Sequence, residues 1–372
     1  MLISLAQIIP VWLDKAGTLS KILDYTSQAA DAGAKLVCFG ESLLPGYPFW
    51  LSITGGAAFN DRVQKEIHAH YLSQAVDIEA GDLEPLCQLT KQRGIAVYVG
   101  IIERPLDRGG HSCYCSLVYV DANGVIQSVH RKLQPTYEER LCWSPGDGHG
   151  LRVHELGDGW RVGGLNCWEN WMPLARTALY AQGENIHVSV WPGGLHNTHD
   201  LTKFIAKESR SYVVAVSGLL SKEDLAKRRE LAETLGNEAQ KSDSDVKMHL
   251  YGYPAQHPKN SDSNSGTPPA EVQKEQPIKV EETTTIPIPH LDLMIENSPE
   301  WLANGASCIA APDGSWLIEP QLERECLLTA ELDLQKVYEE RQNFDPTGHY
   351  SRPSVTKLMV DRSRQSSAEF RD

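Results

Sequence analysis

Apolar residues in this chain recur in two rhythms, and the rhythms alternate. Ile3–Ile8 is a short apolar run of strand length. From Thr18 to Ala32 the apolar positions (Leu19, Ile22, Leu23, Tyr25, Ala29, Ala30) fall at helical spacing, and Gly33 closes the pattern. Lys35–Phe39 then reads as a buried strand, Leu83–Arg93 as a helix stopped at Gly94, and Ile95–Ile102 as another strand. Trp160–Asn166, Ile186–Trp191 and Tyr212–Leu219 are further strand candidates. Pro173–Gln182 predicts a helix that opens on proline, whose missing N–H is not needed in a first turn. Strands alternating with helices argue for α/β layering.

Two hairpins interrupt that alternation. Ser112–Val120 and Val125–His130 are β-type runs joined by Asp121-Ala122-Asn123-Gly124, and an Asn-Gly pair marks a turn because both residues tolerate positive φ. A second hairpin is expected over Ala306–Ile318, turning at Pro312-Asp313-Gly314. After Leu220 the large apolar residues thin out. Ser221–Gln240 reads as a solvated helix and Lys241–His290 as a disordered or loosely attached insertion. The organisation expected is one domain over residues 1–360, interrupted at about 222–290, with a mobile polar tail at 361–372.

Composition narrows the classes. Hydrophobic residues are 41% and charged residues 23% of the 372, enough for a sizeable core. The formal charge of −14 argues against nucleic acid and against a basic membrane-surface helix. No run of eighteen apolar residues exists, so no membrane span is expected. The apolar start lacks a basic leader and reads as a first strand. Eight scattered cysteines do not suggest a disulfide framework, and a reducing cytoplasm is the expected location.

Three segments place a reactive residue just past an apolar strand: Val37–Glu41, Val129–Lys132 and Gly164–Cys167. Sites in open α/β sheets form at the carboxyl ends of strands, so Glu41, Lys132 and Cys167 can converge in space. Chemically the trio is coherent. A thiolate is a strong nucleophile, and a nearby ammonium lowers a thiol's pKa. A helix N-terminus after Cys167 favours the thiolate too. A carboxylate can take the thiol proton and later activate water. The ammonium and a backbone N–H can stabilise developing negative charge. Spacing alone leaves plainer readings open: a core cysteine, a loop carboxylate and a solvated lysine. Cys113-x-Cys115 has no second ligand pair at a zinc-like spacing, and His196, His199 and Asp200 read as a solvated loop. No phosphate loop or dinucleotide fingerprint is present.

Phe39-Gly40-Glu41-Ser42-Leu43-Leu44-Pro45-Gly46-Tyr47-Pro48 resembles the glutamate motif of the nitrilase family. His130-Arg131-Lys132-Leu133-Gln134-Pro135-Thr136 with Glu139-Arg140 resembles its lysine motif, and Gly163-Gly164-Leu165-Asn166-Cys167-Trp168-Glu169-Asn170 its cysteine motif. Asn343–Tyr350 is similar to the end of a nitrilase core. The resemblance covers roughly residues 1–220 and 296–360. It implies an α/β fold, a four-layer α-β-β-α sandwich. It implies Glu41 as general base, Cys167 as nucleophile, and Lys132 as stabiliser of the tetrahedral species and proton donor. Glu139 matches the second glutamate, which positions Lys132 and water. Trp168 is expected to offer its backbone N–H, and Tyr47, Trp168, Trp191 and Pro192 to wall the pocket. The implied substrate is a small nitrile, hydrolysed through a thioimidate without metal or organic cofactor. Homo-oligomers built from dimers, often spirals, are implied as well. The rivals are an amidase using the same trio, a cyanide hydrolase, and a filament-forming protein with a silent site.

Overall fold

A strand that is apolar at every position needs cover on both faces. The computed structural model describes residues 1–106, 109–242, 286–366 and 368, and in it each face is covered. In chain order the strands are β1 (Leu2–Gln7), β2 (Leu36–Phe39), β3 (Ala96–Glu103), β4 (Tyr114–Val120), β5 (Ile126–Arg131), β6 (His154–Gly157) and β7 (Trp160–Asn166). They continue with β8 (Ile186–Trp191), β9 (Tyr212–Ser217), β10 (Leu219–Ser221), β11 (Trp301–Ala310), β12 (Trp316–Leu322) and β13 (Cys326–Glu331). One sheet has the order β13-β1-β2-β3-β4-β5. The other runs β10-β11-β9-β8-β7-β6, with β12 added on β11.

Period-two alternation divides each strand between two interiors. Ile3, Leu5, Leu36, Cys38, Ala96 and Tyr98 of the first sheet meet Val162, Ile186, Val188, Tyr212 and Val214 of the second. Their neighbours Ala6, Val37, Phe39, Val97 and Val99 point outward under Ile22, Leu23, Ala29, Leu86 and Leu89. Those five lie on the helices Lys15–Asp31 and Glu84–Arg93. Beyond the second sheet, Val213, Ala215, Cys308 and Ala310 pack on Leu201, Ile205 and Ala206 of the helix Leu195–Ser209. Leu165 packs on Ala175, Ala178 and Leu179 of the helix Pro173–Tyr180. The layers are therefore α-β-β-α, and each buried Leu, Ile or Val contributes about 1.5–3 kcal/mol.

Both hairpins are present as antiparallel pairs, β4–β5 and β11–β12. In the first, only Gly124 of the Asn-Gly pair takes a positive φ. Asn123 does not, because its N–H donates to the Asp121 carboxylate at 2.8 Å and holds a different turn. The helix at Thr18–Ala32 begins earlier, at Lys15, since the Asp14 side chain accepts from the Gly17 N–H at 3.0 Å and caps it.

Other expectations need correction. His196, His199 and Asp200 lie in the opening turns of the helix Leu195–Ser209, not in a loop. Buried Thr198 and Thr202 sit where an apolar pattern would have announced that helix. The polar stretch at 222–290 begins as the helix Lys222–Ser242, whose start is not solvated. Leu225 is fully buried, and Arg228 reaches Asp14 at 3.2 Å. Ile288 is buried and His290 meets Glu66 at 2.7 Å, so both ends of the stretch pack. Residues 243–285 lie outside the described residues. The described start of the tail, residues 361–366, is tied down too: Arg364 donates to Asp147 at 3.0 Å and to the Val129 carbonyl at 2.8 Å. No helix among the described residues is long and apolar enough to cross a membrane.

Candidate active site

Glu41, Lys132 and Cys167 each follow the end of a strand, β2, β5 and β7 respectively. The Glu41 loop lies against β3 at Gly100. A Cβ there would stand 2.2 Å from the Gly40 oxygen and 2.6 Å from the Ser42 nitrogen, so only glycine lets the loop settle. Lys132 is held through its backbone: its N–H donates to the Cys115 carbonyl at 2.7 Å, and its carbonyl accepts from Gly146 at 2.8 Å. Cys167 opens a 3-10 turn, Cys167–Trp171, with φ at +45°. For a residue with a Cβ that conformation costs about 1–3 kcal/mol and needs support from its surroundings.

Glu169 supplies much of that support. Its buried carboxylate accepts from His130 Nε2 at 3.0 Å, from the Leu133 N–H at 2.7 Å and from the Asn166 N–H at 2.8 Å. One side chain thus ties the segments on both sides of Lys132 to the residue before Cys167. Asn170 adds a second brace, its amide donating to the Cys167 carbonyl at 2.8 Å while His187 faces its oxygen at 2.8 Å. Sequence reasoning assigned no task to Glu169 or Asn170. Asn166-x-x-Glu169 and Thr136-x-x-Glu139 both form capping boxes, and that spacing was a readable signal.

The side chains converge. Lys132 Nζ donates to Glu41 Oε1 and to Glu139 Oε2, each at 2.8 Å. A carboxylate oxygen of Glu41, one of Glu139 and the Cys167 sulfur all lie within 4.8 Å of one another, and all three residues are buried. Tyr47 Oη donates to Glu139 Oε1 at 2.8 Å, and the Thr136 N–H donates to its other oxygen at 2.6 Å. Cys115 also approaches Glu41 Oε1, at 3.6 Å. Both Glu41 neighbours use that one oxygen, leaving Oε2 buried without a partner. Two carboxylates and a sulfur at this spacing resemble a metal-ligand set, but the Lys132 ammonium already stands between the carboxylates.

Burial, more than any neighbour, sets the protonation of this cluster. It raises the Glu41 carboxyl to about 7; Lys132 pulls down, and Glu139 and Glu169 push up. Burial works against the Lys132 charge, yet Glu41, Cys167 and Glu139 hold its ammonium well above the ordinary range. The thiol departs from expectation. Burial and then Glu41 push Cys167 well above the usual range, outweighing Lys132 and the Trp168 backbone N–H. Burial thus favours a thiol over a standing thiolate at Cys167, with the Glu41 carboxyl close by.

A cavity of about 250 Å³ opens beside the cluster, walled by Tyr47, Phe49, Leu51, Glu138, Glu139 and Pro192 among others. Of the expected walls, Tyr47 and Pro192 line it; Trp168 and Trp191 do not. Trp191 is fully buried beside Cys167, and the Trp168 ring is half exposed. His199 pairs with Asp200 at 2.7 Å on the surface, and neither residue joins the cluster.

The chain matches the carbon-nitrogen hydrolase family over residues 2–342. It is 31% identical to a nitrilase 2 from an unknown prokaryotic organism, over 100% of this chain and 95% of that protein. An aliphatic nitrilase of Rhodococcus rhodochrous is 30% identical, over 97% of this chain and 79% of the other. A bifunctional nitrilase/nitrile hydratase of Lupinus angustifolius is 30% identical, over 94% and 83%. Among solved structures, an amidase from Nesterenkonia sp. AN1 superposes with a TM-score of 0.55 at 16% identity, covering 93% of this chain and 98% of that one. At that identity the likeness is one of fold.

Proposed function

Because this chain belongs to the carbon–nitrogen hydrolase family, we propose that it is a nitrilase converting an organic nitrile to the carboxylic acid and ammonia. The observation that carries the reading is the buried, unpartnered Glu41 Oε2 in a cluster with the Cys167 sulfur and the Lys132 ammonium. In this reading the thiol proton passes to Glu41 as sulfur bonds to the nitrile carbon. The nitrile nitrogen takes a proton, giving a thioimidate. Lys132 and the Trp168 N–H face the charge that develops. Water then adds, deprotonated by a glutamate, and the carbon–nitrogen bond breaks to release ammonia. A second water cleaves the remaining thioester, freeing the acid and restoring the thiol. Glu139, joined to both Lys132 and Tyr47, holds the ammonium in place.

Nitriles are favoured over amides by the three relatives at 30–31% identity, whose names are nitrilase 2, aliphatic nitrilase and bifunctional nitrilase/nitrile hydratase. An amidase would begin the same sequence from an amide. Ammonia release from matched nitriles and amides separates the two: release from nitriles is expected, and release from amides alone would replace the reading. Cys167→Ala is expected to abolish turnover while leaving the fold intact. Undiminished turnover by that variant would remove sulfur from the mechanism.

A further inference from the structure

The cavity beside the cluster is asymmetric in charge. Its apolar wall is Tyr47, Phe49, Leu51, Pro192 and Leu302, and its acidic members are Glu138 and Glu139. None of its lining residues is a lysine, arginine or histidine. Glu139 is neutralised by Lys132 at 2.8 Å. Glu138 is different: its side chain is exposed and makes no hydrogen bond or ion pair among the described residues. It therefore presents an uncompensated negative charge to whatever enters. Behind it, two carboxylates share the single Lys132 ammonium. A nitrile enters neutral, whereas the product acid ionises at neutral pH like any carboxyl group.

We infer that Glu138 makes the cavity selective by charge, admitting neutral and cationic nitriles, rejecting nitriles that carry a carboxylate, and favouring departure of the acid product. The inference rests on the nitrilase reading and adds the substrate class to it. Glu138 lies at the solvent side, where water screens it, so the effect expected is about tenfold and shrinks with added salt.

Three chains of similar length test this on the intact protein: hexanenitrile, 4-cyanobutanoate and 5-aminopentanenitrile. The expected kcat/KM for the carboxylate-bearing nitrile is about tenfold below that of hexanenitrile, with the ammonium-bearing one equal or better. E138Q should narrow that gap about threefold or more and tighten inhibition by hexanoate to a similar degree. Calorimetric titration with hexanoate and hexanamide reads the same discrimination without turnover. The native chain should favour the amide, and E138Q should bring the two closer. If the native protein binds hexanoate as well as hexanamide, or if E138Q leaves both ratios unmoved, the inference is overturned. If no nitrile is hydrolysed, the nitrilase reading falls, and the calorimetric ratio still decides the charge question.

Discussion

At the scale of single residues, the proposed base and nucleophile are set by what burial does to them. Glu41 must be ionised to take the thiol proton, and its carboxyl is raised to about 7. The sign follows: kcat/KM should climb as pH rises through about 7 and fall below it. Lys132 stays charged well beyond that range, so it adds no loss just above neutrality. A pH–rate profile flat across the neutral range would remove Glu41 from the role of base. Glu169 acts through others. Glu169→Gln loses the anion that three donors share, and kcat should fall about tenfold or more through misplacement alone, with KM little changed. Because the Glu169 charge helps raise Glu41, the midpoint of the profile should also move down in that variant. Unchanged kcat and midpoint would make Glu169 a bystander.

At the scale of elements, apolar spacing was a good guide wherever a strand or helix buried an unbroken apolar face. β1, β2, β3, β7, β8 and β9 each fall within a residue or two of the apolar runs that announced them. The helix Leu195–Ser209 escaped the spacing, whereas the helix Lys222–Ser242 was expected, over Ser221–Gln240, but as a solvated one. The first buries threonines, which carry no apolar signal. The second opens as a nearly wholly polar sequence around one anchoring apolar residue, Leu225. Leu225 packs in a cluster with Trp12, Leu220, Leu291 and Met294. Leu225→Ala should therefore cost about 2–4 kcal/mol, read as a shift in the urea unfolding midpoint. A loss within a few tenths of a kcal/mol would restore the picture of a solvated helix.

At the scale of the molecule, segments remote in sequence complete one another's polar groups. Asp147 is buried, and it accepts from Arg364 at 3.0 Å and from the Gln365 N–H at 3.2 Å. Truncation after Val360 strips both donors and should cost about 1–3 kcal/mol. Burial alone would raise the Asp147 carboxyl, but the Gln365 and His149 N–H groups and Arg364 hold it below the usual carboxylate range. The stabilisation is thus present at neutral pH and lost as pH falls through that lowered value. Thermal unfolding of full and truncated chains should differ at neutral pH and converge in acid. Equal melting temperatures at neutrality would show that the tail contributes nothing.

By itself the sequence determined the alternation of strands and helices, because pleat and helix periods are written in the spacing of apolar residues. It also pointed, through their likeness to a known family, to three motifs as the proposed bearers of the reactive groups. It did not determine that burial favours the protonated thiol, that Glu41 keeps one oxygen free, or that Trp191 turns into the core while Tyr47 and Pro192 face the cavity. Those outcomes depend on desolvation and on neighbours remote along the chain: Lys132 meets Glu41 across 91 residues, Tyr47 meets Glu139 across 92, and Leu133 meets Glu169 across 36. Such neighbours exist only after the two sheets have packed, and so only the tertiary structure decided them.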